Sequence, residues 1–136
     1  MSRPVALVTG ASSGIGLCFA QQLARKGYDL VLVARRLERL EKIASELSQE
    51  HSIDCRVEGR DLADRLAVAD LISDLERDGV EVEVLINNAG YGLSGAYLSQ
   101  PWQQHEKFIR VLLTAVCELT HRLLPGMKLR GKGRII

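Results

Sequence analysis

The sequence has no apolar run approaching the ~18 residues that a membrane span needs. Val5–Val8 is too short for the apolar centre of a signal peptide, and a glycine-rich turn follows it. Charge of one sign is also missing. A net charge of +1 gives neither a basic field for nucleic acid nor a polybasic membrane anchor. Cysteine is scarce, with Cys18, Cys55 and Cys117 odd in number and far apart. They argue against a disulfide framework and suit reduced thiols in a cytoplasmic protein. His51, His105 and His121 have no metal-ligand spacing with each other or with cysteine, so no metal site is expected.

What remains is globular in character. The chain is 46% hydrophobic and 26% charged over 136 residues, enough for one domain, 1–136, with a real core. Short apolar runs alternate with helical patterns. Strands are expected at Val5–Thr9, Leu30–Ala34, Ile53–Glu58 and Val82–Ile86, with a fifth beginning near Gly133–Ile136. The first helix is expected from Gly14 to Lys26, with Ile15, Cys18, Phe19 and Leu23 inward and Gly27 at its C-terminus. The second spans Leu37–Glu50 around Leu40, Ile43, Ala44 and Leu47. The third spans Leu62–Arg77 around Leu66, Ala69, Ile72 and Leu75.

A loop from Tyr91 to Gln100 leads to a fourth helix. It starts at Pro101 and stops near Pro125-Gly126, with the stripe Ile109, Leu112, Val116, Leu119 and Leu123 in the core. The basic cluster Lys128–Arg134 reads as a solvated connection rather than a nucleic-acid site. Strand–helix alternation predicts an α/β fold, a doubly wound parallel sheet of about five strands in the order 3-2-1-4-5 with helices on both faces.

The densest signal is Thr9-Gly10-Ala11-Ser12-Ser13-Gly14-Ile15-Gly16, between the first strand and the first helix. Glycines allow a sharp turn and close approach to a phosphate. Free N–H groups and the positive end of the helix dipole favour the negative charge of a dinucleotide's pyrophosphate. The glycine spacing departs from G-x-G-x-x-G. At the end of the second strand, where many NAD sites place a carboxylate for the ribose hydroxyls, this chain has Arg35-Arg36. A guanidinium can bind a 2′-phosphate with two hydrogen bonds, so NADP(H) is expected over NAD(H). The alternative is that both arginines are surface charges opening the second helix.

The run T-G-A-S-S-G-I-G, together with Asn87-Asn88-Ala89-Gly90 after the fourth strand, resembles the short-chain dehydrogenase/reductase family over essentially the whole chain. The resemblance implies an oxidoreductase that moves a hydride between NADP(H) and a small carbonyl or alcohol. Gly10, Gly14 and Gly16 would form the pyrophosphate turn, with Ile15 at its helix end and Ser12 and Ser13 offering hydroxyls and N–H groups. Asp61-Leu62 matches the family's adenine-binding pair. Asn88, Ala89 and Gly90 would line the cofactor cleft or hold the central strands together.

The family's catalytic serine and Tyr-x-x-x-Lys follow the fifth strand and do not occur among these residues, so no catalytic residue is assigned. Alignment through Leu124-Pro125-Gly126-Met127 puts Leu112 where the family has a helix asparagine. Tyr91, Leu93, Tyr97 and Trp102 could border a substrate mouth, although such residues more often pack the start of the fourth helix. The expectation is a cofactor-binding portion, inactive alone. The alternatives are a non-catalytic NADP(H)-binding or regulatory module and a truncated relic. An unfinished sheet would expose an edge and favour self-association.

Overall fold

The structure, a computed structural model, describes residues 2–136. Its centre is a five-stranded parallel sheet of β1 (Val5–Thr9), β2 (Asp29–Ala34), β3 (Cys55–Gly59), β4 (Val82–Ile86) and β5 (Arg134–Ile135), in the order β3-β2-β1-β4-β5. The chain first builds leftward from β1 to β3, then crosses to the other side of β1. The reversal makes the carboxyl ends of β1 and β4 a switch point, where open α/β sheets bind ligands.

Both faces of the sheet are covered, so its strands are apolar in both directions. In β1, Leu7 enters one core, and Ala6 and Val8 enter the other. In β2, Val31 and Val33 join Leu7, while Leu30 and Leu32 face the opposite way. The core around Leu7 is closed by α3 (Ala67–Arg77) and α5 (Ala115–Arg130). The opposite core is closed by α1 (Gly14–Arg25) and α2 (Leu37–His51). A register shift between Val5 and Ala6, opposite Val82 and Val84, adds one residue to β4 and turns Val82 toward the α3 side.

The fold agrees with the expected class and strand order. β1 and β4 have the expected bounds, and β3 starts two residues later than expected. Ser52 ends α2 in the left-handed conformation (φ 54°), and Asp29 holds the Asp54 N–H at 2.9 Å before pairing begins.

The inner face of α1 differs in part from the expected one: Phe19 and Leu23 pack against the core, but Ile15 and Cys18 do not. Ile15 is 69% exposed and Cys18 is also exposed, whereas Gly16, Ala20 and Ala24 are buried. The helix lies too close to the sheet for large side chains at its contact line. Gly27 ends it as expected, with φ +84° and the Tyr28 N–H on the Leu23 carbonyl at 3.1 Å.

α3 begins five residues later than expected. Asp61 Oδ1 accepts the Ala63 N–H at 2.9 Å, and its carbonyl accepts the Asp64 N–H at 3.0 Å. The side chain of Asp61 thus competes with helix formation and forms a turn. Leu62 is buried in that turn, while Leu66, expected inward, is 66% exposed.

The fourth helix is not continuous α-helix. α4 (Trp102–Ile109) passes through a π segment at Arg110–Thr114 into α5. The extra residue per turn brings Val111 and Ala115 inward, while Leu119 is buried and Leu123 packs against the same core as expected, with Met127 beyond them. Ile109 and Leu112, expected in the core, are 43% and 37% exposed. Pro125 does not stop the helix. The stop is Gly131 (φ +71°), where the Lys132 N–H reaches the Met127 carbonyl at 3.1 Å.

The basic cluster is thus the last turn of α5 and a short link. Arg130 donates to the Val82 carbonyl at 2.9 Å, and Lys132 pairs with Glu83 at 3.4 Å. No helix of the described residues is long and apolar enough to cross a membrane.

Candidate cofactor site

A cleft of about 530 Å³ opens at the carboxyl ends of β1, β2, β3 and β4. Gly10, Ser12, Ser13 and Ile15 reach it from the turn after β1, and Arg35 and Arg36 from the end of β2. Asp61 and Leu62 come from the turn after β3, and Asn88, Ala89 and Gly90 from beyond β4. Eleven of the thirteen residues singled out in the sequence therefore meet at one cleft. Gly14 and Gly16 do not line it.

Those two glycines shape the turn by different means. Gly14 has φ +57° and open space where a Cβ would stand, so its role is conformational. Gly16 is buried, and a Cβ there would run into the Gly10 carbonyl and the Asn88 amide. The missing side chain lets α1 start against the end of the sheet. Gly10 combines both roles, with φ +65° and the Ala89 Cα only 3.0 Å from where its Cβ would be.

The two asparagines after β4 face different neighbours. Asn88 donates through Nδ2 to the carbonyls of Thr9 (3.2 Å) and Gly10 (3.3 Å). Thr9 Oγ1 accepts the N–H groups of Asn88 (3.0 Å) and Ala89 (2.9 Å), and donates to the Ile86 carbonyl (3.3 Å). This knot holds the end of β4 to the end of β1 and fixes the width of the cleft floor. Asn87 turns toward β5 and α5. Its N–H donates to the Ile136 carbonyl at 2.7 Å, its Nδ2 to Thr120 Oγ1 at 3.4 Å, and its buried Oδ1 has no partner.

Charge around the cleft is ordered by a network beside it. Buried Glu58 accepts from Arg56 Nε at 2.7 Å and Arg60 Nε at 2.9 Å, and Arg60 also pairs with Asp74. Partial burial opposes the charge of Arg60, but its bonds to Asp74 and Glu58 outweigh this and raise its pKa. At the outer end, hydrogen bonds from Arg77 and then Arg56 hold the Asp78 carboxyl at about 2. Arg60 lines the cleft but is neutralised by carboxylates outside it.

The residues named for a substrate mouth separate. Tyr91 lines the main cleft and packs edge-on against Phe108, with ring centroids 5.4 Å apart. Leu93 and Tyr97 border a second cleft of about 400 Å³. Trp102 lines neither and tilts toward His105. Leu112 contacts the motif after β4, with its Cδ2 2.6 Å from where a Gly90 Cβ would stand.

Gln104, Lys107 and Val111 also line the main cleft. Their three- and four-residue spacing puts them on one helix face, but no motif in the sequence marks that face as the one at the cleft. Thr9, the first residue of the glycine motif, is the centre of the knot, and only the folded approach of β4 gives it that role.

A glycine turn before a helix, at the switch point of a parallel sheet, defines a nucleotide-binding Rossmann-type domain. The sequence profile described as short chain dehydrogenase matches residues 4–136, and the chain belongs to that family. A very-long-chain 3-oxoacyl-CoA reductase of Anas platyrhynchos is 35% identical over 135 residues, covering 96% of this chain and 43% of the relative.

Among solved structures, the bulky-bulky ketone specific alcohol dehydrogenase from Comamonas testosteroni is 37% identical, with TM-score 0.91. The match covers 99% of this chain and 54% of that one. A short-chain dehydrogenase from Sphingobium yanoikuyae, solved in complex with NADPH, is 37% identical with TM-score 0.90, covering 97% and 52%. The chain spans about half the length of these proteins.

Proposed function

We propose that residues 1–136 form one NADP(H)-binding unit of a short-chain oxidoreductase acting on small carbonyl or alcohol substrates. The observation that carries this reading is the pairing of the glycine turn with Arg35 and Arg36 on a single cleft. The cradle fits a dinucleotide: the absent Cβ at Gly10 and Gly16 lets the turn and the start of α1 close on the end of the sheet, and the free N–H groups at a helix start favour a pyrophosphate. Arg35 and Arg36 would hold the 2′-phosphate with charge-assisted hydrogen bonds. Asp61 would accept the adenine amino group, and Ala89 and Gly90 would form the floor. When bound, NADP(H) gives a hydride to a carbonyl carbon or takes one from an alcohol carbon.

The residues of this chain bind and orient, and none of them moves a proton at the substrate. Leu112 on Gly90 places an apolar side chain where the family has an asparagine. This favours binding without turnover by these residues alone. Calorimetry with NADPH tests the reading. Saturable binding with one site per chain is expected, together with no NADPH oxidation by a ketone above a cofactor-only control. Absence of binding would overturn the reading, and turnover by the purified chain would overturn the assignment of a binding role alone.

A further inference from the structure

This inference rests on reading the main cleft as a dinucleotide site, and adds a wall to it. Five charged side chains line the cleft, namely Arg35, Arg36, Arg60, Asp61 and Lys107. Arg60 is held by Glu58 and Asp74. Among the described residues, Arg35, Arg36 and Lys107 form no ion pair. The two arginines come from the β2 end that leads into α2, on one face of the sheet. Lys107 comes from α4, which runs into α5 on the other face, where Val111 packs in one core with Leu62 and Ala67. Lys107 therefore stands across the cleft from the arginines.

Its position is fixed from two sides. Gln104, Lys107 and Val111 form one stripe of the helix facing the cleft. Phe108, next to Lys107, packs edge-on against Tyr91 at 80°, and Tyr91 lines the same cleft. This ring pair ties α4 to the segment after β4.

The wall on the Lys107 side suits a base rather than a phosphate. Val111, four residues on from Lys107, packs in one core with Leu62 and Ala63, and Asp61, beside Leu62 on the cleft, would repel an anion. The free N–H groups suited to phosphate are at the glycine turn after β1. A lysine can cover an aromatic face with its four-carbon stem while its ammonium gains from the ring's negative face. We infer that Lys107 is a positioning residue for the adenine ring, closing over one face of the base from α4 while Asp61 takes its edge.

The test measures dissociation constants of the 136-residue chain for NADPH, NADH, 5′-AMP and nicotinamide mononucleotide. Lys107 is exposed, so Lys107→Ala should keep the parent's far-UV spectrum and melting temperature. It should weaken NADPH, NADH and 5′-AMP by a common factor of about three to ten. Lys107→Arg should restore most of the loss, and nicotinamide mononucleotide, which lacks adenine, should not respond. Unchanged 5′-AMP affinity would overturn the inference. So would a loss confined to NADPH, which would make Lys107 a phosphate ligand.

The Arg35→Ala/Arg36→Ala variant separates this inference from the reading beneath it. If that variant leaves the NADPH-to-NADH ratio unchanged while Lys107→Ala still weakens 5′-AMP, the cofactor preference fails and the lysine assignment stands. If the parent chain binds neither 5′-AMP nor NADPH, both fail.

Discussion

The hydroxyl of Thr9 accepts the backbone N–H of Ala89 at 2.9 Å, joining the last residue of β1 to the segment that follows β4. The same oxygen takes the Asn88 N–H, so two backbone donors depend on one side chain. Thr9→Val keeps the shape and removes the acceptor. Leaving a buried donor unpaired costs about 1–3 kcal/mol, and these two are half-buried, so partial rescue by water brings the expected loss toward the lower end for the pair. Urea unfolding should show a lower midpoint for Thr9→Val and little change for Thr9→Ser. Equal midpoints for valine and parent would remove the knot from the account.

Gly14 and Gly16 should respond differently to alanine. Gly14→Ala meets no neighbour and suffers only from its left-handed backbone, a cost of about 1–2 kcal/mol. Gly16→Ala collides with backbone at Gly10, which cannot move without disturbing the knot. The larger loss of stability, and the loss of cofactor binding, should therefore fall on Gly16→Ala. Thermal melts of the two variants with and without NADPH decide the order.

The carboxylates of the arginine network set an acid limit. Asp78 sits at about 2, chiefly through Arg77 and then Arg56, and Asp74 is lowered chiefly by Arg60. An unfolded aspartate titrates near about 3.9. A lowered folded-state pKa adds stability above the unfolded value, which is lost as pH falls through the folded one. The decline should therefore lie between about pH 4 and pH 2. Both side chains are partly solvated, so the contribution is a screened one. Asp78→Asn should flatten the melting-temperature curve in that window, and an unchanged slope would contradict the assignment.

The three thiols should divide two to one. Cys18 and Cys117 are exposed. Burial first, against a hydrogen bond with Ser48, pushes the Cys55 thiol up. A thiolate-selective disulfide reagent at pH 8 should modify two cysteines rapidly and the third slowly. Three equal rates would place Cys55 in a different environment.

Much of this arrangement is legible in the sequence, for reasons specific to each element. β1 and β4 are buried on both faces, so their ends coincide with the ends of their apolar runs. The glycine turn and Arg35-Arg36 lie directly after strands, and strand order alone brings them together. What escaped detection depended on three-dimensional proximity. Ile15 and Cys18 fit a helical stripe by period, but α1 touches the sheet through Gly16, Ala20 and Ala24 because small residues permit the closer approach. Leu112 fits a regular helix, but the π segment turns Val111 inward instead. Leu62 reads as helical although the Asp61 carboxylate has already committed the backbone to a turn. Lys107 carries no motif, and only the folded position of α4 places it at the cleft.

If Arg35 and Arg36 hold the 2′-phosphate as proposed, the cleft selects NADPH over NADH. The most direct test is parallel titration of NADPH and NADH into the parent chain and the Arg35→Ala/Arg36→Ala variant at one salt concentration. Hydrogen bonds to charged groups contribute about 1.5–3 kcal/mol, so the parent should prefer NADPH by about tenfold or more, and the variant should bind the two cofactors nearly equally. Equal affinities in the parent, or tighter NADH, would contradict the account.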